Sequence, residues 1–356
     1  MNDAPLRLGI VGCGWVALDR HLPALAHVRE VAVVALADVD PHALARAAAF
    51  APAARRFSSA VALADDPTVE AVAVTVPPAA HVEVALAALA RGKHVLVEKP
   101  LAPSLEQADV LVAAAEASPC KVVVGFNFRR HRFVQRARAM IAADELGEVT
   151  CIRSAFTNDV PLDDAALWRG SRELGGGGIL DRAVHEIDLW RYLLADDVAE
   201  VSAVSAQGRT EDDVAIVTAR MRRGALATIV VLDSAVVSHE LTVYGRRAST
   251  RLDLCRFEGF AVEATGSLPG SPRARLLRAR GMLSDARGSA RAIRRGGDFM
   301  LTYEDEWRRF AAIVRRDLPA DPAVADGRAA LAVALAAVES AETATPVQLA
   351  ALGGTP

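Results

Sequence analysis

Lysine and cysteine are both scarce in this chain of 356 residues. Of its 41 basic residues only three are lysines, so a lysine beside a sequence motif is conspicuous. The cysteines are equally few and lie far apart: they are Cys13, Cys120, Cys151 and Cys255. No two of them form a C-x-x-C pair, and none belongs to a cluster with histidines. This spacing excludes a disulfide framework and a cysteine-based zinc site.

Long apolar runs and a strong net charge are also missing. No apolar run reaches about 18 residues without a charge, the length that a membrane-spanning helix requires. The first residues lack the charged-then-apolar pattern of a signal peptide, and the net charge is only −3. Such a chain is not expected to bind nucleic acid or a membrane surface. With 52% hydrophobic residues it can bury large cores. We therefore expect a reduced, soluble, cytoplasmic protein of two domains.

Short β-branched runs alternate with alanine-rich helical stretches from residue 6 to about residue 126. The runs are apolar without alternation, which predicts strands that are buried on both faces. They read LRLGIVG, VAVVALAD, EAVAVTVP, HVLVEK and KVVVGF. Helices are predicted between them at 15–29, 41–50, 79–91 and 104–117. The second of these has Asp40 as its N-cap and Pro41 at its first position. Repeated strand–helix units predict a doubly wound parallel sheet, an α/β fold of the Rossmann type.

The pattern changes after residue 145. A helix at 179–193 is followed by strands that alternate more loosely, and further helices are predicted at 298–317 and 325–343. The predicted strands are 198–208, 211–222, 225–234, 238–245 and 248–264. Consecutive strands favour an α+β domain with a large, mostly antiparallel open sheet. We place the two domains at 1–126 and 127–356.

An arginine-rich segment lies within the second of these domains. Residues 273–295 contain eight arginines and a single acidic residue, Asp285. A charge run of this kind is usually a solvated surface helix or arm. Two other interpretations stay open, a lid that contacts a phosphate group and an arm at a subunit interface.

The stretch GIVGCGWVA follows the first predicted strand and opens a helix. Gly12, Gly14 and Ala17 fit the G-x-G-x-x-G/A pattern of a dinucleotide-binding turn. In such a turn Gly12 permits the tight bend, and Gly14 lets a pyrophosphate approach the backbone at the helix N-terminus. Asp38 ends the second strand, 24 residues beyond Gly14, where a carboxylate binds the adenosine ribose. Val39 follows it, where a 2′-phosphate site would favour an arginine or a small polar residue. We therefore predict NAD rather than NADP.

Lys99 ends the buried strand HVLVEK and directly precedes Pro100. Ligands of a doubly wound sheet bind beyond the carboxyl ends of its strands, so Lys99 is expected near the nicotinamide. A residue before proline avoids the helical conformation, which keeps Lys99 extended, and its bond to Pro100 can be cis. The alternative is an ordinary surface lysine at the end of a strand.

Four consecutive glycines precede the helix predicted at 179–193. Asp181 and His185 are four residues apart and would share one face of that helix, which Asp188 continues. We predict that the glycines 175–178 leave room for nicotinamide and substrate, with the two titratable side chains just beyond. A histidine suits proton transfer because its ordinary pKa, about 6.5, lies near working pH. Asp188 is expected to be structural, and no metal is expected because no second histidine follows at ligand spacing.

Together these motifs resemble those of the glucose–fructose oxidoreductase, inositol dehydrogenase and rhizopine catabolism (Gfo/Idh/MocA) family. The resemblance rests on GIVGCGWVA, DVDP, VPPAAH, EKPL, GFNFR, WRG and GGGGILDRAVHEID, in this order. It extends from residue 6 to TPVQL near the end of the sequence. It implies a Rossmann domain, a second domain whose sheet commonly builds homodimers or homotetramers, and reversible NAD(P)-linked oxidation of a sugar or cyclitol hydroxyl. The implied substrate is a small sugar, cyclitol or nucleotide-linked sugar.

The same resemblance implies roles for individual residues. His185 would be the acid or base, Lys99 would hydrogen-bond the reacting oxygen, and Asp181 would orient His185 or hold a neighbouring hydroxyl. The further cofactor contacts that it implies are Trp15, Val16, Val76, Pro77, His81, Glu98 and Asn127. The further substrate contacts are Arg129, Trp168 and Arg169.

Two of these positions, and Arg182 near them, have alternative interpretations. His81 is equally suited to a packing role, and Arg129 to holding the domain interface. Arg182, a bulky charge beside Asp181, either tunes substrate choice or points to solvent.

Two other functions stay open on the sequence alone. One is an NAD-dependent glycosidase, which uses the same oxidation transiently and ends as a hydrolase. The other is a non-enzymatic sensor of NAD or a sugar, of the kind that regulates transcription. A sensor need not retain Lys99 and His185 together, so their joint presence favours an enzyme.

Overall fold

The computed structural model describes residues 4–159, 168–266, 271–295 and 297–350. Its packing separates two compact units. The first contains Met1–Asn127, Asp163–Gly176 and Tyr303–Leu331, and the second contains Phe128–Leu162, Gly177–Thr302 and Ala332–Pro356. The division into domains at residues 126 and 127 stays a prediction.

The first unit is built on a six-stranded parallel sheet with the order β3-β2-β1-β4-β5-β6. The strands are β1 Leu6–Val11, β2 Val31–Ala37, β3 Arg55–Phe57, β4 Ala71–Val74, β5 His94–Val97 and β6 Val122–Val124. Strands β1, β4, β5 and β6 are mostly buried, as expected for a sheet that is covered on both faces. The predicted doubly wound parallel sheet is confirmed.

Helices connect these strands. They are α1 Leu22–Leu25, α2 Pro41–Ala48, α3 Ala60–Ala64, α4 His81–Leu89 and α5 Leu105–Glu116. Helix α2 begins as predicted, because Asp40 accepts hydrogen bonds from the N–H groups of His42 and Ala43. The helix predicted at 15–29 is wrong in type and length, since a π-helical turn, Ala17–His21, precedes the short α1.

The second unit contains an eight-stranded sheet with the order β13-β12-β11-β7-β10-β9-β8-β14. The strands are β7 Val149–Asp159, β8 Val198–Ala206, β9 Val214–Met221, β10 Leu226–Leu232, β11 Ser234–Gly245, β12 Ala248–Asp253, β13 Phe260–Ala264 and β14 Val347–Gln348. Every neighbouring pair is antiparallel except β7 with β10, which is parallel. The predicted large, mostly antiparallel sheet is therefore confirmed.

Two details of this sheet differ from the sequence analysis. Strand β7 was not predicted, because only Ile152 and Ser154 of its eleven residues are buried and the segment lacks an apolar pattern. The strand predicted at 248–264 is two strands, β12 and β13, joined by a turn.

The remaining helices are α6 Arg132–Ala142, α7 Val184–Leu194, α8 Pro272–Arg294, α9 Asp298–Arg315 and α10 Val324–Thr343. Of these, α6, α7 and α8 lie wholly in the second unit. Every residue of α7 except Arg191 is buried, so its apolar residues are not confined to one stripe. The predicted helix at 179–193 starts differently, because Gly178–Ala183 form a π-helical turn before α7.

Candidate active site

The loop after β1 has the geometry of a dinucleotide-binding turn. Gly12 has a φ of +93°, and its N–H donates to Ala37 O at 2.9 Å. A Cβ at Gly12 would lie 2.6 Å from Val76 N, so no larger residue fits there. At Gly14, by contrast, no described residue has an atom within 4 Å of the position that a Cβ would take. The backbone at Gly14 is therefore open to a phosphate group.

Asp38 follows β2 and is fixed beside this loop. Its Oδ2 accepts a hydrogen bond from Cys13 N at 2.5 Å, and its Oδ1 accepts one from Asp40 N at 2.8 Å. Burial and the charge of Asp38 raise the pKa of the Cys13 thiol to about 12, so that thiol is neutral at working pH. A carboxylate held in this place can accept hydrogen bonds from ribose hydroxyls and would repel a 2′-phosphate. The residues around the loop thus fit NAD.

Lys99 follows β5 and is half-buried, and its peptide bond to Pro100 is cis. The Lys99 N–H donates to Glu98 Oε2 at 3.2 Å, and Glu98 Oε1 lies 2.9 Å from His21 Nε2. Gly125 leaves room for this carboxylate, because a Cβ there would lie 2.9 Å from Glu98 Oε1. Glu98, which the sequence analysis assigned to the cofactor, therefore also supports the backbone of Lys99.

Glu98 belongs to a buried cluster that the sequence analysis missed. His21, Glu98 and Glu306 each place one side-chain atom within 4.8 Å of the others. The rings of Tyr303 and Trp307 meet the His21 ring edge-on, at 5.2 and 5.4 Å between centres. Burial favours the neutral form of Glu98, but the hydrogen bond and charge of His21 outweigh it and lower the pKa of Glu98. No local motif marks this cluster, because its members come from three distant segments.

His81 is turned into the first unit. Its Nδ1 lies 2.9 Å from Pro100 O and its Nε2 lies 2.9 Å from Val76 O. Burial lowers the pKa of His81, so the ring is neutral and its single N–H donates to only one of the two carbonyl groups. His81 thus joins the turns after β4 and β5, which is the packing role that the sequence left open. Its contact with a ribose stays a prediction.

Trp15 brings two arginines to the dinucleotide-binding loop. The guanidinium carbons of Arg20 and Arg169 each lie 4.6 Å from the centre of the Trp15 ring. Arg169 also lies 5.5 Å from the Trp168 ring, so both predicted substrate residues lie beside this loop. The other predicted cofactor contacts differ in exposure: half-buried Val16 and Val76, exposed Pro77 and buried Asn127.

The glycine run before α7 is explained by the protein's own backbone. A Cβ at Gly176 would lie 2.2 Å from Trp168 O, and a Cβ at Gly178 would lie 2.2 Å from Asp212 O. These distances are far inside van der Waals contact, so the space beside both glycines is already filled. Our interpretation of the run as room for nicotinamide and substrate is therefore wrong at these two positions.

Asp181 lies in the π-helical turn and not in α7. That Asp181 and His185 share one helical face stays a prediction. Asp181 Oδ2 lies 3.4 Å from Arg182 Nη1, and Arg182 Nε donates to Asp233 Oδ1 at 3.0 Å. Arg182 is largely buried between these carboxylates, which excludes the alternative that it points to solvent. Burial raises the pKa of Asp233.

His185 lies in the first turn of α7 and is 7% exposed. The Phe128 ring meets it edge-on at 4.8 Å, and the Phe156 ring lies 6.2 Å away. His239 stacks on Phe156 at 4.2 Å, and its Nε2 lies 2.5 Å from Glu186 Oε1. A second histidine with its own carboxylate therefore packs against the same aromatic pair. The inward position of His239 on β11 could have indicated this second histidine, but the sequence analysis did not use it.

Arg129 and Asp188 form a buried ion pair in the second unit. Arg129 Nε donates to Asp188 Oδ2 at 2.8 Å, and Arg129 Nη2 donates to Asp188 Oδ1 at 2.5 Å. This bidentate salt bridge attaches the turn Asn127–Arg130 to α7, so the structural role expected of Asp188 is confirmed. A substrate contact by Arg129 stays a prediction.

Two family profiles match most of the chain. Residues 6–126 match the profile of the Gfo/Idh/MocA oxidoreductase family described as an NAD-binding Rossmann fold, and residues 134–251 match the profile of the Gfo/Idh/MocA C-terminal domain. Both assignments agree with the resemblance that the motifs carry.

Individual proteins agree with the profiles. A dTDP-3,4-didehydro-2,6-dideoxy-alpha-D-glucose 3-reductase of Streptomyces antibioticus is 30% identical over 71% of this chain and 77% of its own length. A levoglucosan dehydrogenase of Pseudarthrobacter phenanthrenivorans is 32% identical over 56% and 53% of the two chains. The crystal structure of the WlbA dehydrogenase from Bordetella pertussis, in complex with NADH and UDP-GlcNAcA, has a TM-score of 0.82. It is 23% identical and covers 98% of this chain and 99% of that one, a likeness of fold.

Proposed function

The chain belongs to the Gfo/Idh/MocA family of NAD-binding oxidoreductases, and from this membership we propose that it oxidises a hydroxyl group of a sugar or cyclitol, or reduces the corresponding ketone. When bound, the nicotinamide accepts a hydride from the carbinol carbon or returns it. The observation that carries the proposal is the fixed Asp38 carboxylate beside the open backbone of Gly14.

NAD is the cofactor that the first unit accommodates, in preference to NADP. The Asp38 carboxylate would accept the ribose hydroxyls, and the backbone at Gly14, Trp15 and Val16 would bind the pyrophosphate. Arg20 and Arg169 flank Trp15, which adds positive charge on the same side of the loop. Val76, Pro77, His81, Glu98 and Asn127 complete the proposed set of cofactor contacts.

Lys99 hydrogen-bonds the oxygen atom of the hydroxyl or ketone group whose carbon is oxidised or reduced. A positively charged ammonium stabilises the negative charge that develops on this oxygen as its proton leaves. The Lys99 backbone is held by Glu98, which is in turn held by His21, so the start of the lysine side chain is fixed. Support from buried, hydrogen-bonded neighbours of this kind is what precise catalysis requires.

His185 takes the hydroxyl proton during oxidation and returns it during reduction. The Phe128 and Phe156 rings pack against its imidazole, which restricts rotation and excludes water from that side. Asp181 either orients this imidazole or holds a neighbouring hydroxyl, and its own charge is balanced by Arg182. Arg129, Trp168 and Arg169 are the further residues proposed to contact substrate.

The substrate class is a sugar or cyclitol, free or linked to a nucleotide. The relatives act on a dTDP-sugar and on levoglucosan, and the WlbA structure holds UDP-GlcNAcA. A panel of inositols, free sugars, levoglucosan and nucleotide-linked sugars, offered with NAD and with NADP, tests this assignment by NADH absorbance. Turnover of any member with NAD supports the proposal, and equal rates with NADP would overturn the cofactor preference. Release of an aglycone without accumulation of NADH would favour the glycosidase alternative.

The second unit also supports assembly into a homodimer or homotetramer. One face of its sheet carries exposed apolar side chains, among them Val214 and Ile216 on β9, Leu226 on β10 and Tyr244 on β11. Several exposed apolar side chains on one face of a sheet favour a protein interface. A second copy of the chain is the occupant that we propose, in a symmetric pair.

A further inference from the structure

The net charge of the chain conceals one strongly basic element. The chain as a whole carries −3, yet residues 273–295 hold eight arginines and one acidic residue. The structure places almost all of this segment in a single helix, α8, of 23 residues. At 1.5 Å per residue, such a helix is about 35 Å long. The prediction that the protein avoids membrane surfaces rests on the total charge and does not describe this helix.

One side of α8 attaches it to the second unit. Ser289 and Ala292 are buried, and the Ser289 hydroxyl lies 3.4 Å from Phe257 O. Arg132 Nη2, itself paired with Asp298, also lies 3.4 Å from Ser289 Oγ. Among the described side chains of α8, Ser289 and Ala292 thus belong to the face that contacts the second unit.

Several large aliphatic side chains of α8 are exposed. Leu276, Met282, Leu283 and Ile293 are 54%, 48%, 72% and 61% exposed. Leu276 and Leu283 are seven residues apart and share a face opposite Ala292, whereas Met282 is seven residues before Ser289 and lies at the edge of the docked face. Four large exposed aliphatic side chains on one helix are unusual for a solvated surface.

Exposed arginines lie among these aliphatic residues. Arg280 is one turn after Leu276, Arg275 is two turns before Met282, and Arg294 ends the helix; all three are exposed. A helix that combines aliphatic side chains with arginines in this way lies in the interface of an anionic membrane, where the aliphatic groups enter the lipid and the guanidinium groups pair with headgroups. A soluble polyanion would engage the arginines alone and would leave the aliphatic side chains in water.

We propose that α8 binds peripherally to a membrane that contains anionic phospholipids. None of the helices among the described residues is long and apolar enough to cross a bilayer, so the attachment is to the surface. The remainder of the chain is acidic, since the total of −3 includes the basic helix, and an anionic surface repels it. The attraction at α8 and this repulsion together hold the protein in one orientation on the membrane.

Co-sedimentation with lipid vesicles tests the proposal. The intact protein is mixed with vesicles of phosphatidylcholine alone and with vesicles that also contain phosphatidylglycerol. We expect pelleting only with the second kind and a steep loss as salt is added, because charge attraction is screened. Two double variants separate the apolar and the electrostatic contributions to vesicle binding. Leu276→Ser with Leu283→Ser removes apolar groups, and Arg275→Gln with Arg280→Gln removes charge. Each should weaken vesicle binding at least tenfold.

A matched variant controls for a general loss of positive charge. Arg29→Gln with Arg316→Gln removes two exposed arginines outside α8 and should pellet like the unchanged protein. Circular dichroism and thermal melting establish that each variant is folded. Equal binding to both kinds of vesicle, no binding to either, or unchanged binding by the α8 variants would overturn the proposal. Retention on heparin without vesicle binding would also overturn it, in favour of a soluble polyanion. If the unchanged protein does not bind vesicles and the leucine variant has a different oligomeric state, the proposal is overturned in favour of a subunit arm.

Discussion

Proton transfer by His185 is a property of one side chain and is tested by removing its imidazole. The variant His185→Ala should retain NAD binding and lose turnover by roughly 10²–10⁴-fold, the usual contribution of a positioned acid or base. Steady-state kinetics gives the rate, and quenching of intrinsic fluorescence by NADH gives the binding. The variant His27→Ala, which removes an exposed histidine, is the control and should keep full activity. An unchanged kcat in His185→Ala would exclude His185 from the mechanism.

Asp38 and Asp40 are two residues apart and have different partners, so they form a natural pair of variants. Asp38→Ala should raise the KM for NAD about tenfold or more, since a hydrogen bond to a charged group contributes about 1.5–3 kcal/mol. Asp40→Ala should leave that KM unchanged and lower the melting temperature, because Asp40 caps α2. Kinetics with varied NAD and a thermal melt distinguish the two. If both variants shifted KM equally, the ribose assignment of Asp38 would be wrong.

The titratable residues of the site illustrate what a single sequence reveals at this scale. The turn at Gly12 and the position of Asp38 follow from strand, spacing and residue type, all of which are local. The pair His239 and Glu186 stayed hidden, because one member lies on β11 and the other on α7. A helix and a strand that are more than fifty residues apart must first be placed in space. The role of the glycines was missed for the same reason, since the backbone that meets Gly178 belongs to Asp212.

The π-helical turn before α7 depends on a glycine that its neighbours enclose. Gly178→Ala would place a methyl group 2.2 Å from Asp212 O and should destabilise the protein by roughly 1–3 kcal/mol, the usual cost of overpacking. Gly281→Ala on α8 is the matched control, because no described residue lies within 4 Å of its Cβ position. That substitution should be neutral or stabilise by up to about 1 kcal/mol, since alanine favours a helix. Denaturant unfolding of both variants is the measurement, and equal effects would contradict the close approach.

Helix α6 is capped by His131, whose side chain accepts a hydrogen bond from Phe133 N. Burial lowers the pKa of His131 to about 3, so the unfolded chain binds a proton below pH 6.5 that the folded chain does not. Stability is therefore complete above pH 6.5 and falls as the pH is lowered towards 3. His131→Asn keeps a capping oxygen without a titrating ring. Between pH 7 and 5 it should lose about 2 kcal/mol less stability than the unchanged protein.

Unfolding by denaturant at a series of pH values measures this difference. His27→Asn removes an exposed histidine and should keep the pH dependence of the original chain. If the stability of His131→Asn and of the unchanged protein depended on pH in the same way, folding would not lower the pKa of His131.

Elements with a wholly apolar or periodic sequence were predictable, and those without such a pattern were not. Strands β1, β4 and β5 are short apolar runs because helices cover them on both faces, so periodicity alone identifies them. Strand β7 is half-exposed, and its sheet neighbours begin more than seventy residues later. Its sequence has no pattern that distinguishes a strand from a loop.

Assembly through the exposed sheet face is a property of the whole molecule. Ile216→Glu places a charge on that face and should convert an oligomer into monomers, because an unpaired charge is costly in an apolar interface. Size-exclusion chromatography with light scattering measures the mass. Val110→Glu on α5, whose valine is 52% exposed in the first unit, should leave the mass unchanged. A monomeric parent protein would remove the basis of this proposal.

The central position of β7 also has a consequence for synthesis of the chain. During translation β7 leaves the ribosome well before β10 and β11, the strands that flank it on both sides. Until Gly245 has emerged, at least one edge of this strand lacks part of its final hydrogen-bonding partners. Open edges recruit other strands, including those of neighbouring nascent chains. A ribosome stalled before Ser234 would therefore release a fragment prone to aggregation, whereas one stalled just after Gly245 would release a sheet whose middle is already closed.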